Sequence, residues 1–307
     1  MSQILSYMDA SATYTIPSRP LTWLITGCSS GFGLALARLV RSQGHRVIAT
    51  SRNPAKTPDL VAEFSAEGHH RWETLDVDAP DCGALIQRLE EQEGVQVDVL
   101  VNNAGWALYG VAEHFSEDEV RRQFETLLFA PFRLTRAAMP YMRARKFGIV
   151  VNVSSASGLA AIPSMSIYGG AKAALDAVMR TFALEVKDFN VRMLNVNPGT
   201  FDTGMLHQLQ YQAATPDPAY AATNTGKMLA FMQSGEGEAR GDMHKGVRAM
   251  YDVVMGAGPH KDHLGEPQLP LGAGAAYFVA RQAAQAQQTL AAFGELSKSC
   301  DKPEPEA

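Results

Sequence analysis

Three side chains near the middle of the chain are of types that could move a proton to or from a carbonyl group. Tyr168 and Lys172 stand four residues apart. Ser155 stands thirteen residues before the tyrosine, just past the β-branched run Ile149-Val150-Val151-Asn152-Val153. If that run is a buried strand and a helix begins at Ile167, Tyr168 and Lys172 share one helix face. Ser155 then lies at the carboxyl end of the strand, where open α/β sheets bind ligands. A free phenol titrates near ~10, too high for proton transfer at neutral pH. A neighbouring ammonium favours the phenolate and pulls that value toward working pH. The serine hydroxyl can donate to a carbonyl oxygen while the tyrosine gives or takes the proton. No side chain carries a hydride, so a ketone/alcohol interconversion at this trio implies a nicotinamide cofactor. The tyrosine–lysine spacing is weak evidence alone. With nine Tyr and nine Lys in 307 residues, it arises by chance in roughly one such chain in four.

The elements around the trio must therefore carry the argument. Leu21 to Thr26 reads as a buried strand that enters Gly27-Cys28-Ser29-Ser30-Gly31-Phe32-Gly33, followed by a helical pattern from Leu34 to Gln43. Strand, glycine-rich turn and helix put backbone N–H groups and a helix N-terminus at one point, which suits a pyrophosphate. Arg46 to Thr50 reads as a second strand, Trp72 to Val77 as a third and Val97 to Val101 as a fourth, with a helix expected over Ala79 to Glu93. The fourth strand enters Asn102-Asn103-Ala104-Gly105. A long helical region, Ser116 to Arg145, opens on a Ser116-x-x-Glu119 capping box. The Ile149 strand, the Tyr168 helix to Asp188 and a strand from Val191 to Val196 complete the alternation. It predicts a Rossmann-type, doubly wound parallel α/β sheet in a single domain.

At the end of the second strand, a site that takes NAD usually sets a carboxylate for the ribose 2′-hydroxyl, and one that takes NADP sets an Arg. Gly44 to Pro58 contains neither Asp nor Glu, and Arg52 stands in place, with Ser29 or Ser51 to assist. NADP is therefore the expected cofactor.

Composition narrows the alternatives. The chain is 46% hydrophobic and 19% charged, with a net charge of −5, which argues against nucleic-acid partners. Cys28, Cys82 and Cys300 form no close pair, so no disulfide framework or zinc pattern is expected, and a reducing, cytoplasmic location fits. His260 and His263 lack a third ligand for a metal. No apolar run is long enough to span a bilayer. Residues 1–20 read as a polar extension without a signal peptide, and 301–307 as a frayed tail. Between them, 21–300 reads as the catalytic domain. Within it, 203–268 breaks the regular pattern and is expected to be a substrate lid. Leu269-Pro270-Leu271-Gly272 is expected as a short last strand, and Ala273 to Lys298 as an Ala- and Gln-rich helix.

With these pieces in order, the chain resembles the short-chain dehydrogenase/reductase family. Thr26-Gly27-x-x-x-Gly31-x-Gly33, Asn102-Asn103-Ala104-Gly105, Ser155, Tyr168-x-x-x-Lys172 and Pro198-Gly199 carry the resemblance, over about residues 21 to 205. The Leu269-Pro270-Leu271-Gly272 tail is similar to a branch related to hydroxysteroid and retinol dehydrogenases. The resemblance implies that Gly27, Ser29, Ser30, Gly31, Phe32 and Gly33 line the pyrophosphate. It places Asp76 and Val77 at the adenine, and Asn103, Ala104 and Gly105 along the cofactor. Pro198, Gly199 and Phe201 would border the cofactor, with Thr203 at the carboxamide. Ser155 would orient the carbonyl, Tyr168 act as acid/base, and Lys172 bind the nicotinamide ribose and lower the Tyr168 pKa. Family members commonly pair through two long helices, here Ser116–Arg145 and Ile167–Asp188, so a homodimer or homotetramer is implied. One position departs from the pattern. The family usually carries an Asn in the long helix, thought to hold a water that relays protons to the lysine. Here the stretch reads Phe124-Glu125-Thr126-Leu127, and Leu127 has neither donor nor acceptor. Thr126 lies a helix step of ~100° away.

The leading expectation is an NADPH-dependent reductase of ketones or aldehydes, reversible as an alcohol dehydrogenase. Leu127 keeps open a cofactor-binding protein with little redox activity, and an enzyme of another reaction type remains a third reading. Trp106, Leu108, Tyr109, Met205 and Leu206 are expected to face an apolar, fairly bulky small-molecule substrate.

Overall fold

Seven short strands, four of them with no exposed residue at all, build the centre of the molecule. The computed structural model describes residues 13–66, 68–203, 209–235 and 239–302. The strands are β1 (Thr22–Ile25), β2 (Arg46–Ser51), β3 (Arg71–Thr74), β4 (Val99–Asn102), β6 (Gly148–Val153), β7 (Val191–Pro198) and β9 (Gln268–Leu271). They lie in the order β3-β2-β1-β4-β6-β7-β9, every pair parallel. β1, β4, β6 and β7 are buried along their whole length, as expected of a sheet covered on both faces. A separate two-strand pair, β5 (Leu108–Tyr109) with β8 (Gln210–Tyr211), stands outside that sheet. The chain is a single-domain, doubly wound α/β fold.

Helices cover both faces. One face is packed by α1 (Gly31–Ser42), α2 (Pro58–Ser65) and α8 (Met243–Val254), through a cluster that includes Trp23, Leu36, Val40, Phe64, Val247 and Met250. The other carries α3 (Ala84–Gln87), α4 (Glu117–Phe124), α5 (Ala130–Ala144) and α6 (Ser166–Val186), through Ile86, Leu89, Leu134, Met142, Leu175 and Met179.

Several boundaries differ from the sequence reading. β3 stops at Thr74, because the Asp76 carboxylate accepts from the Asp78 N–H and turns the chain. The helix expected from Ala79 begins only at Ala84, after Pro80 and Gly83, and widens into a π-type turn over Arg88–Gln92. The long helix opens on the expected capping box, with Ser116 Oγ accepting from Glu119 N. It is interrupted by a π-type turn over Glu125–Phe129 before α5. Pro131, at the start of α5, has no N–H for the i→i−4 ladder and favours the wider turn ahead of it.

Part of the 203–268 stretch, expected as a lid, belongs to the body of the fold. It forms β8, α7 (Asn224–Ser234) and α8, and α8 packs against α1. Val247, Met250, Tyr251 and Val254 of α8 are buried in the core. Tyr251 stacks on Trp23 with ring centroids 5.9 Å apart and pairs with His45 Nε2 at 2.9 Å. Those four positions follow helical spacing, but glycine-rich flanks mask the signal. β9 forms as expected, and α9 (Ala273–Ser299) follows it, exposed over most of its length.

The extension is described from residue 13 onward and docks on the body. Asn190 Nδ2 donates to Thr15 O at 3.1 Å. Arg19 grips the buried Asp98 with two nitrogens, at 2.7 and 2.8 Å.

Candidate active site

The parallel sheet brings the carboxyl ends of β1, β2, β4, β6 and β7 to one edge, and a cleft of about 480 Å³ opens there. Its floor begins at the turn after β1. Gly27 and Gly31 hold φ of +70° and +58°, a region open to glycine at little cost. A Cβ on Gly33 would lie 2.4 Å from Gly27 O and 2.5 Å from Asn103 Nδ2, so this turn admits no side chain there. Thr26 ties the two loops: its Oγ1 accepts from Asn103 N and Ala104 N, each at 2.9 Å. Asn103 Nδ2 in turn donates to Thr26 O at 2.8 Å and Gly27 O at 3.1 Å. The start of α1 leaves unpaired backbone N–H groups, as every helix N-terminus does, and the cleft is lined there by Ser29, Ser30, Gly31 and Phe32.

Arg52, at the end of β2, lines the cleft and is exposed. Asp76, Val77, Ala104, Gly105, Trp106 and Thr203 also line it. At its inner end are Tyr168 and Lys172, one turn apart on α6 and both buried. Lys172 Nζ donates to Val153 O at 2.7 Å. Burial brings the Lys172 pKa down to about 8, against the pull of Asp176. Burial pushes the Tyr168 phenol above its ordinary value, and a hydrogen bond from Ser155 draws it back. The sequence argument made the ammonium the lowering influence. In the structure the ammonium engages the Val153 carbonyl, and Ser155 does the lowering. Ser155 Oγ also accepts from Ser157 N at 3.1 Å, which fixes its rotamer.

Some expected residues lie elsewhere. Gly33 and Ser155 are not among the residues that line the cleft, although Ser155 hydrogen-bonds to Tyr168, which does. Phe201 is in the core, edge-on to Phe32 at 5.1 Å. Gly199 N donates to Leu271 O at 2.9 Å, so Pro198 and Gly199 are engaged with β9 and the start of α9. Leu108 and Tyr109 are buried in β5 rather than on the cleft, although Tyr109 packs in one cluster with Tyr168 and Leu127. Met205 and Leu206 lie outside the described residues. Leu127 is buried and borders the cleft, and the π-type turn sets Thr126 on the cleft as well. Thr126 Oγ1 accepts from Trp106 Nε1 at 3.0 Å and donates to Arg122 O at 3.3 Å, so it is committed away from Lys172. Sequence reasoning missed Arg122, whose guanidinium lies 5.3 Å from the Trp106 ring, and Gln123, which accepts from Leu108 N and donates to Trp106 O. It also missed Ser154, Asn197 and Asp176. Asp176 was readable, since it follows Lys172 at helical spacing.

The short chain dehydrogenase family profile matches residues 22–214. The chain belongs to the short-chain dehydrogenase/reductase family. It is 39% identical to the oxidoreductase claN of Passalora fulva over 220 residues, 71% of this chain and 97% of that protein. It is 36% identical to retinol dehydrogenase 8 of Bos taurus over 204 residues, covering 64% of each. A short-chain dehydrogenase from Streptomyces avermitilis superposes with a TM-score of 0.80 at 31% identity, over 93% of this chain and all of that one. A metagenomic short-chain oxidoreductase solved in complex with NADP gives 0.55 at 32% identity, over 59% and 82%. The protein is thus an oxidoreductase of this family. Among the described residues no helix is long and apolar enough to cross a membrane.

Proposed function

We propose that the chain interconverts a ketone or aldehyde and an alcohol on an apolar, fairly bulky small molecule, with NADP(H) as cofactor and Tyr168 as general acid/base. The observation that carries this reading is that Tyr168 and Lys172, both buried, line the inner end of a cleft whose outer wall bears Arg52, with Ser155 hydrogen-bonded to Tyr168.

The residues present fit the cofactor. Gly27, Gly31 and Gly33 leave no room for a side chain in the turn where a pyrophosphate would approach. The end of β2 offers a guanidinium and no carboxylate to a 2′-phosphate. Gly27 to Phe32 would hold the pyrophosphate, Arg52 the 2′-phosphate, Asp76 and Val77 the adenine, and Asn103, Lys172 and Thr203 the nicotinamide half. When bound, the nicotinamide supplies or receives the hydride.

The chain's own residues supply the rest. Ser155 donates to the substrate oxygen and aligns it with the phenol. In reduction Tyr168 gives its proton to that oxygen, and in oxidation it takes one. In the structure Lys172 engages the Val153 carbonyl and does not lower the phenol pKa; one turn away on α6, its positive charge would favour the phenolate that the proton transfer leaves. Burial of Tyr168 keeps bulk water from competing for the proton. Trp106 offers the cleft an apolar surface.

Nicotinamide fluorescence with NADPH and NADH tests the cofactor half of the reading without a substrate. Tighter binding of NADPH supports it. Preference for NADH removes the role given to Arg52, and binding of neither removes the reading as a whole.

A further inference from the structure

Behind the triad lies a buried acid that the proposed chemistry does not use. Asp176 is one turn beyond Lys172 on α6 and 3% exposed. Asn197 Nδ2 donates to Asp176 Oδ2 at 2.8 Å and also to Ser155 O at 3.1 Å. Asn197 is held in turn by Gln268 Nε2, which donates to its Oδ1 at 3.0 Å. One amide on β7 therefore links the backbone of the catalytic serine to the carboxylate beside the catalytic lysine.

The surroundings of Lys172 make that carboxylate consequential. On its own helix Lys172 lies one turn from Tyr168 and one turn from Asp176, with which it forms no direct ion pair. From β6 it meets the Val153 carbonyl, and Ser154 Oγ, which donates to Lys172 O at 3.4 Å. Leu127 borders the same part of the cleft that Lys172 lines. A methyl group built on Gly105 would stand 3.0 Å from Leu127 Cδ2 and 4.0 Å from Lys172 Nζ, so both border the same spot. An ammonium buried in such a seat is costly without a counter-charge, and Asp176 is the charge that acts on it. Burial raises the Asp176 pKa, and the hydrogen bonds from Asn197 and Ser154, followed by the charges of Lys172 and Arg180, oppose it.

We infer that Asp176 is a positioning residue for Lys172. Its carboxylate, anchored by Asn197, keeps the ammonium charged in a pocket that Leu127 makes apolar. The inference rests on the proposed oxidoreductase reading, in which Lys172 must carry its proton to serve Tyr168 and the cofactor ribose.

The test compares pH profiles of kcat and kcat/KM for the wild type, Asp176→Asn and Asp176→Glu, with NADPH and a carbonyl compound the wild type reduces. NADPH affinity is followed over the same pH range. Removing the negative charge lowers the Lys172 pKa. The alkaline limb of Asp176→Asn should therefore begin about one pH unit below that of the wild type, with NADPH affinity falling at the same pH, and Asp176→Glu should restore most of the limb. Asp176→Ser, equally uncharged, replaces the Asn variant if that one does not fold. Superimposable limbs, with only a uniform loss of rate or thermal stability, would show a structural role and overturn the inference. Failure of the function is separable from this. If the wild type reduces no carbonyl compound, or Tyr168→Phe retains full activity, the functional reading fails. The pH dependence of NADPH binding still decides the role of Asp176.

Discussion

The two ends of the same sheet treat charge in opposite ways. At the amino end, two charged groups are paired where they are buried or half-buried, and a third is left without a counter-ion. Arg19 forks onto Asp98, which Thr22 N also contacts at 2.9 Å. Arg145 Nη1 meets Glu90 at 2.9 and 3.1 Å. Arg192 is the exception: its Nη1 donates to Val253 O and Val254 O at the end of α8, but among the described residues its buried Nε and Nη2 have no hydrogen-bond partner and no carboxylate pairs with it. At the carboxyl end, Arg52, Asp76, Asp78, Arg122 and Lys172 all line the cleft. Among the described residues no ion pair joins any two of them. The first end is built for stability, since a buried charge that loses its partner is expensive. The second leaves polar groups available to a ligand and accepts the cost, as active sites do.

The sharpest break in this comparison is Tyr168→Phe. It removes the proton donor and leaves the packing in place, so turnover should fall about 10³-fold while NADPH affinity stays within about twofold. Steady-state kinetics and a cofactor titration check both halves. Arg19→Ala probes the opposite end. It strands Asp98, whose side chain is fully buried, and should cost about 3 kcal/mol of stability in urea unfolding. Catalysis by the protein that remains folded should be unchanged. A loss of activity without a loss of stability would erase the distinction between the two ends.

Arg52→Ala tests the outer cleft. Loss of a charge-assisted contact of about 2 kcal/mol predicts roughly 30-fold weaker NADPH binding, with NADH binding little altered, read by fluorescence. The pH profile sharpens the account of the inner cleft. Lys172, with its pKa depressed to about 8, is charged below that value and neutral above it. Reduction should thus decline as pH rises through about 8. The smallest effect is expected from Leu127→Asn. Because Asp176 already supplies the charge beside Lys172, kcat should change less than about threefold. Burying the new amide should cost about 1 kcal/mol. A large gain in kcat would mean that Leu127, not Asp176, governs the lysine.

Most of the cleft was legible in the sequence because its residues are fixed by local rules. The glycines after β1 answer to backbone space, Arg52 to its place at the end of β2, and Tyr168 and Lys172 to helical spacing. What was not legible depends on partners far along the chain. Phe201 follows the strand in sequence, yet Phe32, Gly241, Gly246 and Gly272 receive its ring in the core. α8 carries a helical apolar stripe, but only its packing on α1 shows it to be core rather than lid. The π-type turn over Glu125–Phe129 sets both Thr126 and Leu127 on the cleft, where an ideal α-helix would separate them. The tie from Asn197 to Asp176 and Ser155 spans 21 and 42 residues of chain and has no sequence signature.

The most direct test of the central claim is NADPH oxidation by the purified protein across bulky apolar ketones and aldehydes, beside Tyr168→Phe at equal cofactor saturation. The account predicts turnover of at least one such carbonyl by the wild type, and its near-complete loss in the variant with NADPH still bound. Equal turnover by both proteins would contradict Tyr168 as the acid/base. Bound NADPH with no turnover of any carbonyl in either would contradict the reductase itself.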